Sequence, residues 1–202
     1  MLDKSLPYYH ILMRRPAGTP VPEFSKPANF SIVNFTLEDE LAWAEIVSSV
    51  GEFDFNTEQA LLKFKEKYLP SLKELERRLI FIQTKDGENV ATYTNWWTYS
   101  GELRIPKVDY VAVKPKYQGL GLGKAIVFAG LQKFLELEGD KDLFLHTQTW
   151  SYKAIGIYLQ AGFNFVEDNF PFGRYTNGFN TQEKALAIIK DKIRYPKNLI
   201  LE

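Results

Sequence analysis

The 202-residue chain carries 25 basic and 25 acidic side chains, so its formal net charge is zero, and 45% of its residues are hydrophobic. This is the composition of a soluble globular protein large enough to bury its own core, and the charge balance excludes a surface built to hold nucleic acid as a bulk polyanion. Cysteine is absent and histidine is limited to His10 and His146, which excludes disulfides, thiolate metal sites, cysteine nucleophiles and a multi-histidine metal centre.

The first ten residues show no apolar targeting core, and no apolar run in the chain approaches the ~20 residues of a membrane span. A cytoplasmic protein with no membrane partner is expected. Pro7, Pro16, Pro20, Pro22 and Pro27 make residues 1–28 an irregular extension, with at most a short edge strand at 9–13. Residues 30–35 read as a strand. Thr36 and two following acids open a helix carrying Trp43, Val47 and Val50, which Gly51 stops. An acidic and aromatic loop, 51–56, leads to a second helix with Leu61, Phe64 and Tyr68 on one face and Pro70 at its end. Ser71 to Glu74 is a capping-box pattern that opens a helical turn or two.

The middle of the chain is β. Strands are expected at 79–83, 90–98 and 108–113, with turns at Asp86-Gly87 and Ser100-Gly101. A helix over 121–138 follows, then a strand at 143–147, a helix over 151–160 capped by Gly162, and a strand at 163–167. Phe170, Phe172 and Tyr175 form an aromatic segment before a turn at Asn177-Gly178. A helix over 181–192 and a tail containing Pro196 finish the chain. The pattern is one mixed α/β domain of α+β character over 1–202, in β-α-α-β-β-β-α-β-α-β order.

The informative feature lies between the strand at 108–113 and the helix after it. Gly119, Gly121 and Gly123 put three glycines in five residues. Glycine lets backbone approach a ligand, and a helix start presents unpaired N–H groups at a positive dipole end, so together they form a phosphate cradle. Neither the P-loop nor the dinucleotide fingerprint fits, because the glycine each requires falls on Lys124 or Ile126. The spacing present is Gln118-x-x-Gly121-x-Gly123.

This spacing resembles the acyl-CoA pyrophosphate loop of the GCN5-related N-acetyltransferase (GNAT) superfamily. The preceding Val111-Ala112-Val113 with Pro115, and the later Ala154, Tyr158, Gly162 and Phe163, match the family's strand and second motif in order and spacing over about 79–168. The resemblance implies a twisted, mostly antiparallel central sheet flanked by helices, with acetyl-CoA as acyl donor. It implies that Val111, Ala112 and Val113 meet the pantetheine arm. Gln118, Gly119, Leu120, Gly121, Leu122, Gly123 and Lys124 would wrap the pyrophosphate, with Lys114, Lys116 and Lys124 adding positive charge. Ser151 stands where many relatives carry a pantetheine-contacting Asn, and Tyr158 where the family has its tyrosine general acid.

Acetyl transfer to an amine also needs a proton acceptor. Asp109 shares strand parity with Val111 and Val113 and is one candidate; ordered water and His146 are others. Glu52, Phe53 and Asp54, on the loop that shapes the acceptor site in relatives, and Trp96 are candidate acceptor contacts, with Trp97 and Trp150 as further aromatic candidates. The expected activity is direct attack of a primary amine on acetyl-CoA in a ternary complex, by a monomer or homodimer, without a metal. The alternatives are a non-catalytic acyl-CoA-binding or sensing module on the same fold, and a nucleotide-binding regulator.

Overall fold

The computed structural model describes residues 1–23, 27–166 and 181–193. The strands are β1 (His10–Arg15), β2 (Phe30–Asn34), β3 (Leu79–Thr84), β4 (Asn89–Ser100), β5 (Leu103–Val113), β6 (Leu143–Gln148) and β7 (Asn164–Phe165). The helices are α1 (Glu40–Ser49), α2 (Thr57–Tyr68), α3 (Leu72–Arg78), α4 (Leu122–Glu138), α5 (Tyr152–Gln160) and α6 (Thr181–Ile189). The seven strands are hydrogen-bonded in the order β2-β3-β4-β5-β6-β1-β7. Pairing is antiparallel for β1 with β6 and β7, β2 with β3 and β3 with β4, and parallel for β5 with β6. The expected mixed α+β sheet fold is therefore present. Among the described residues no helix is long and apolar enough to cross a membrane, and no cluster of three metal-ligating side chains occurs.

The chain forms two compact units, and β4 and β5 pass through both. The first comprises Met1, Glu23–Trp96 and Asp109–Gly139. Its core is aromatic: Trp43, Phe64 and Tyr68 are fully buried, and the Trp43 and Phe64 rings lie 5.0 Å apart. The helix starts follow their sequence signals. The Thr36 N–H donates to Asp39 Oδ2 at 2.8 Å, and Asn56 Oδ1 accepts from the Gln59 N–H at 2.9 Å. Gly130 permits close packing of α4, since a Cβ there would lie 2.3 Å from Tyr93 Cε1. Arg78 is buried on α3 but paired, with Glu138 at 2.7 Å and Glu74 at 2.6 Å.

The second unit comprises Leu2–Pro22, Trp97–Val108 and Asp140–Glu202. Here the expected edge strand at 9–13 is corrected. β1 runs over His10–Arg15 and lies between β6 and β7, so residues 1–28 are not wholly irregular. Burial on both faces explains it: Ile11 and Met13 are fully buried, while Leu12, from the other face, packs with Ile105, Phe144 and Val166. The buried Arg15 is held by its Nε donating to the Ala161 carbonyl at 2.9 Å. β5 begins at Leu103, earlier than expected, and includes Pro106. β7 is shorter than the expected 163–167, and α6 ends at Ile189. β1, α3 and α6, expected from the chain but outside the ten-element order, are present as well. Phe170, Phe172, Tyr175, the Asn177-Gly178 turn and the Pro196 tail lie outside the described residues.

Candidate active site

β5 ends at Val113, and a 3-10 turn, Pro115–Tyr117, leads into the glycine loop. Gly119 and Gly121 have φ of 84° and 78°, a region that side chains rarely adopt, so glycine is required by the backbone there. Gly121 caps α4, and the first helical bond runs from the Ala125 N–H to the Gly121 carbonyl at 3.1 Å. The N–H groups of Leu122, Gly123 and Lys124 precede that bond and form the donor set of a helix start. The residues 118–124 singled out in the sequence thus form one turn whose backbone amides suit an anionic ligand. Gln118 closes this turn by its side chain, Nε2 donating to the Val113 carbonyl at 2.9 Å.

The lysines beside the loop are corrected in part. Lys114 is paired with Glu88 at 2.9 Å and Glu45 at 3.7 Å, so its charge is already balanced. The Tyr117 hydroxyl donates to Glu88 at 2.6 Å. That hydrogen bond, followed by the one from Lys114, holds the Glu88 carboxyl below its usual range. Lys124 Nζ lies 5.3 Å from the centre of the Phe128 ring.

Asp109 and Tyr110 form a kink in β5. Tyr110 has φ of 44°, and a bulky residue there costs roughly 1–3 kcal/mol that its surroundings must supply. Burial alternation fails at the same place: Val108 and Asp109 are both buried, and Tyr110 and Val111 are both half-buried. The expected common parity of Asp109 with Val111 and Val113 is therefore corrected, because one left-handed residue between them resets the pleat. Asp109 is 9% exposed. Its Oδ2 accepts a hydrogen bond from the Tyr68 hydroxyl at 3.1 Å and is ion-paired with Lys67. Burial first, and the Asp109 charge second, push the Tyr68 phenol well above its ordinary value, so it remains a neutral donor.

Around the Tyr110 ring lie Trp43, edge-on at 5.0 Å, Phe53, stacked at 5.9 Å, and Lys67 Nζ, at 5.2 Å. Phe53 belongs to a 3-10 turn, Glu52–Phe55, in which Phe53, Asp54 and Phe55 have φ of 52°, 51° and 65°. Trp96 meets Tyr68 edge-on at 4.8 Å. The structure thus gathers Asp109, Phe53 and Trp96 around Tyr68 and Tyr110, with Glu52 and Asp54 on the adjoining turn. Lys67 and Tyr110 were not singled out in the sequence, and Tyr68 was read only as part of a helix face. No local signal links α2 to a strand 41 positions away in sequence.

In the second unit, Ser151 ends a 3-10 turn and precedes α5, and Tyr158 lies on α5, buried at 7% exposure and 6.0 Å from the Phe163 ring. His146 Nε2 lies 2.7 Å from His10 Nδ1, so the two imidazoles are hydrogen-bonded across β1 and β6. Trp150 donates its indole N–H to the Leu6 carbonyl at 2.7 Å and meets Tyr8 edge-on, which commits it to the N-terminal segment.

The sequence profile of the acetyltransferase (GNAT) family matches residues 42–163. A mycothiol acetyltransferase of Streptomyces bingchenggensis is 28% identical over 174 residues, covering 79% of this chain and 52% of that protein. The one from Streptomyces coelicolor is 28% identical over 156 residues, covering 75% of this chain and 48% of its own. This chain therefore spans about half the length of these relatives. Among solved structures, a GCN5-related N-acetyltransferase from Sphaerobacter thermophilus superposes with a TM-score of 0.61 at 18% identity, over 79% of this chain and 49% of that one. A GNAT-family acetyltransferase from Colwellia psychrerythraea superposes with a TM-score of 0.57 at 14% identity, over 80% and 55%. The structural likeness concerns the fold. The profile match covers more than half of the chain, and the chain belongs to the GNAT acetyltransferase family.

Proposed function

We propose that this protein is an N-acetyltransferase that moves an acetyl group from acetyl-CoA to a primary amine in a ternary complex. The observation that carries the reading is the helix start at Gly121, where successive backbone amides precede the first helical hydrogen bond beside a left-handed glycine turn. That donor set suits the pyrophosphate of CoA. The strand before it, Val111 to Val113, offers backbone groups to the pantetheine arm, and Ser151 adds a hydroxyl contact. One such domain spans residues 1–202. The cytoplasm is the location proposed for it.

The chemistry follows from the groups present. The acceptor nitrogen attacks the thioester carbonyl, the C–N bond forms and the C–S bond breaks. Asp109 takes the amine proton, directly or through water, and Tyr158 gives its proton to the departing thiolate. Phe53 and Trp96 flank the acceptor, and Glu52 and Asp54 favour a cationic one. The kinship with proteins named mycothiol acetyltransferase puts their acceptor first in a panel of amines.

The test is a screen of amines with acetyl-CoA, read by free thiol release, on the wild type and Tyr158→Phe. The variant is expected to lose about a hundredfold or more in kcat while its acetyl-CoA affinity is kept. Unchanged turnover removes Tyr158 as the acid. Saturable acetyl-CoA binding with no turnover against the whole panel would instead assign the non-catalytic binding module.

A further inference from the structure

Five contacts converge on the kink in β5, and two neighbouring residues of α2 make three of them. Lys67 is ion-paired with Asp109 and places its ammonium 5.2 Å from the centre of the Tyr110 ring. Tyr68 donates its hydroxyl to Asp109 at 3.1 Å. Trp43 and Phe53 hold the Tyr110 ring from other directions, at 5.0 and 5.9 Å. Tyr110 itself sits at φ of 44°, which an unrestrained tyrosine leaves for the extended region. A strained residue persists only where its surroundings over-determine it, and these contacts are what over-determine Tyr110.

What depends on the kink is the run that follows. Val111, Ala112 and Val113 take their direction from the Tyr110 backbone, and the turn beyond is tied to them through the Gln118 side chain on the Val113 carbonyl. If Tyr110 relaxed to the extended region, residues 111–113 would swing, and their backbone groups with them. We infer that Lys67 and Tyr68 are positioning residues for the acyl donor: by clamping Asp109 and Tyr110 they hold the strand that receives the pantetheine arm. The inference rests on the reading of residues 111–113 as the pantetheine strand. It gives Lys67 a role in donor binding that is separate from any proton transfer by Asp109.

The experiment is a calorimetric titration of the full chain with coenzyme A, alongside steady-state kinetics. Lys67→Met is expected to weaken coenzyme A binding by about tenfold, the scale of strain its loss would release. Lys67→Arg, which keeps the charge on Asp109, should stay near wild type. Tyr110→Gly adopts the kink without strain, so adding it to Lys67→Met should recover most of the lost affinity. A role confined to general stability would lower the melting temperature without this rescue. Should Lys67→Met not fold, Tyr68→Phe carries the test, since it keeps the ring and removes only the hydroxyl. Wild-type affinity in Lys67→Met, or in Tyr68→Phe where that substitutes, overturns the clamp. So does a double variant no tighter than Lys67→Met. Failure of the wild-type chain to bind coenzyme A overturns the donor-site reading itself, which is a different outcome.

Discussion

Among the stretches of left-handed backbone in the first unit, two regions are built in opposite ways. In the loop before α4 it falls on Gly119 and Gly121, at φ of 84° and 78°. In the Glu52–Phe55 turn and the β5 kink it falls on Phe53, Asp54, Phe55 and Tyr110. Glycine reaches this region without a Cβ penalty, so the loop takes its shape without strain and is closed locally by the Gln118 side chain on the Val113 carbonyl. The other residues reach it at a cost of roughly 1–2 kcal/mol each, so their shape depends on partners such as the Phe53–Tyr110 stack and the Lys67–Asp109 pair. One region is preorganised locally, and the other is held from outside.

The largest effect expected from this contrast lies in the loop. Gly121→Val places a β-branched residue at φ of 78°, although the space around a Cβ there is open. The cost is therefore conformational and not steric crowding. It should reach at least 1–2 kcal/mol, or about tenfold or more in coenzyme A affinity, because relaxing φ turns the amides of Leu122 and Gly123 away. Titration with coenzyme A measures it. Wild-type affinity in Gly121→Val would show that the loop's shape does not govern donor binding.

The opposite sign is expected in the other region. Asp54→Gly removes the left-handed penalty from an exposed residue at φ of 51°. Part of that gain is offset by the greater freedom of glycine in the unfolded chain, about 0.5–1 kcal/mol. The difference of several tenths of a kcal/mol should raise the melting temperature by about 1–2 °C, less whatever the interactions of Asp54 contribute. A fall in melting temperature would mean that Asp54 makes a contact worth more than its strain, and the contrast between the regions would weaken.

The same contrast explains what the sequence disclosed. Gln118, Gly121 and Gly123 were legible because glycine marks its own conformation, and the strand-turn-helix around them follows from local propensity. Most elements of the sheet and helices were legible for the same reason. Tyr110 was not, because nothing local distinguishes a strand tyrosine at φ of 44° from an extended one. Parity arguments on Asp109 then failed with it. β1 was misjudged for a related cause: prolines flank it in sequence, while its place between β6 and β7 depends on Leu12, Ile105 and Phe144 meeting across long separations. Lys114 counted as free positive charge beside the loop, whereas Glu88 and Glu45 balance it.

Glu88 gives the smallest effect, and it limits the idea of a self-sufficient loop. Its carboxylate engages both Lys114 and Tyr117 at the loop's entrance, so the loop has some outside support too. The group is well exposed, and exposed pairs contribute only about 0.2–1 kcal/mol, so Glu88→Gln should lower the melting temperature by no more than about 2 °C at pH 7. The sign with pH is fixed by the depressed carboxyl. In the unfolded chain Glu88 binds a proton more readily than in the folded one, so its stabilisation is fully present above the unfolded value and is lost as pH falls through the folded value. The gap between wild type and Glu88→Gln should therefore close as the solution is acidified below the ordinary glutamate range. It should also shrink in high salt, which screens the Lys114 pair more than the Tyr117 hydrogen bond. A gap that stays constant from neutral to acid would mean that Glu88 acts through packing. A gap much larger than this, accompanied by weaker coenzyme A binding, would put the loop in the same class as the kink: a shape held from outside.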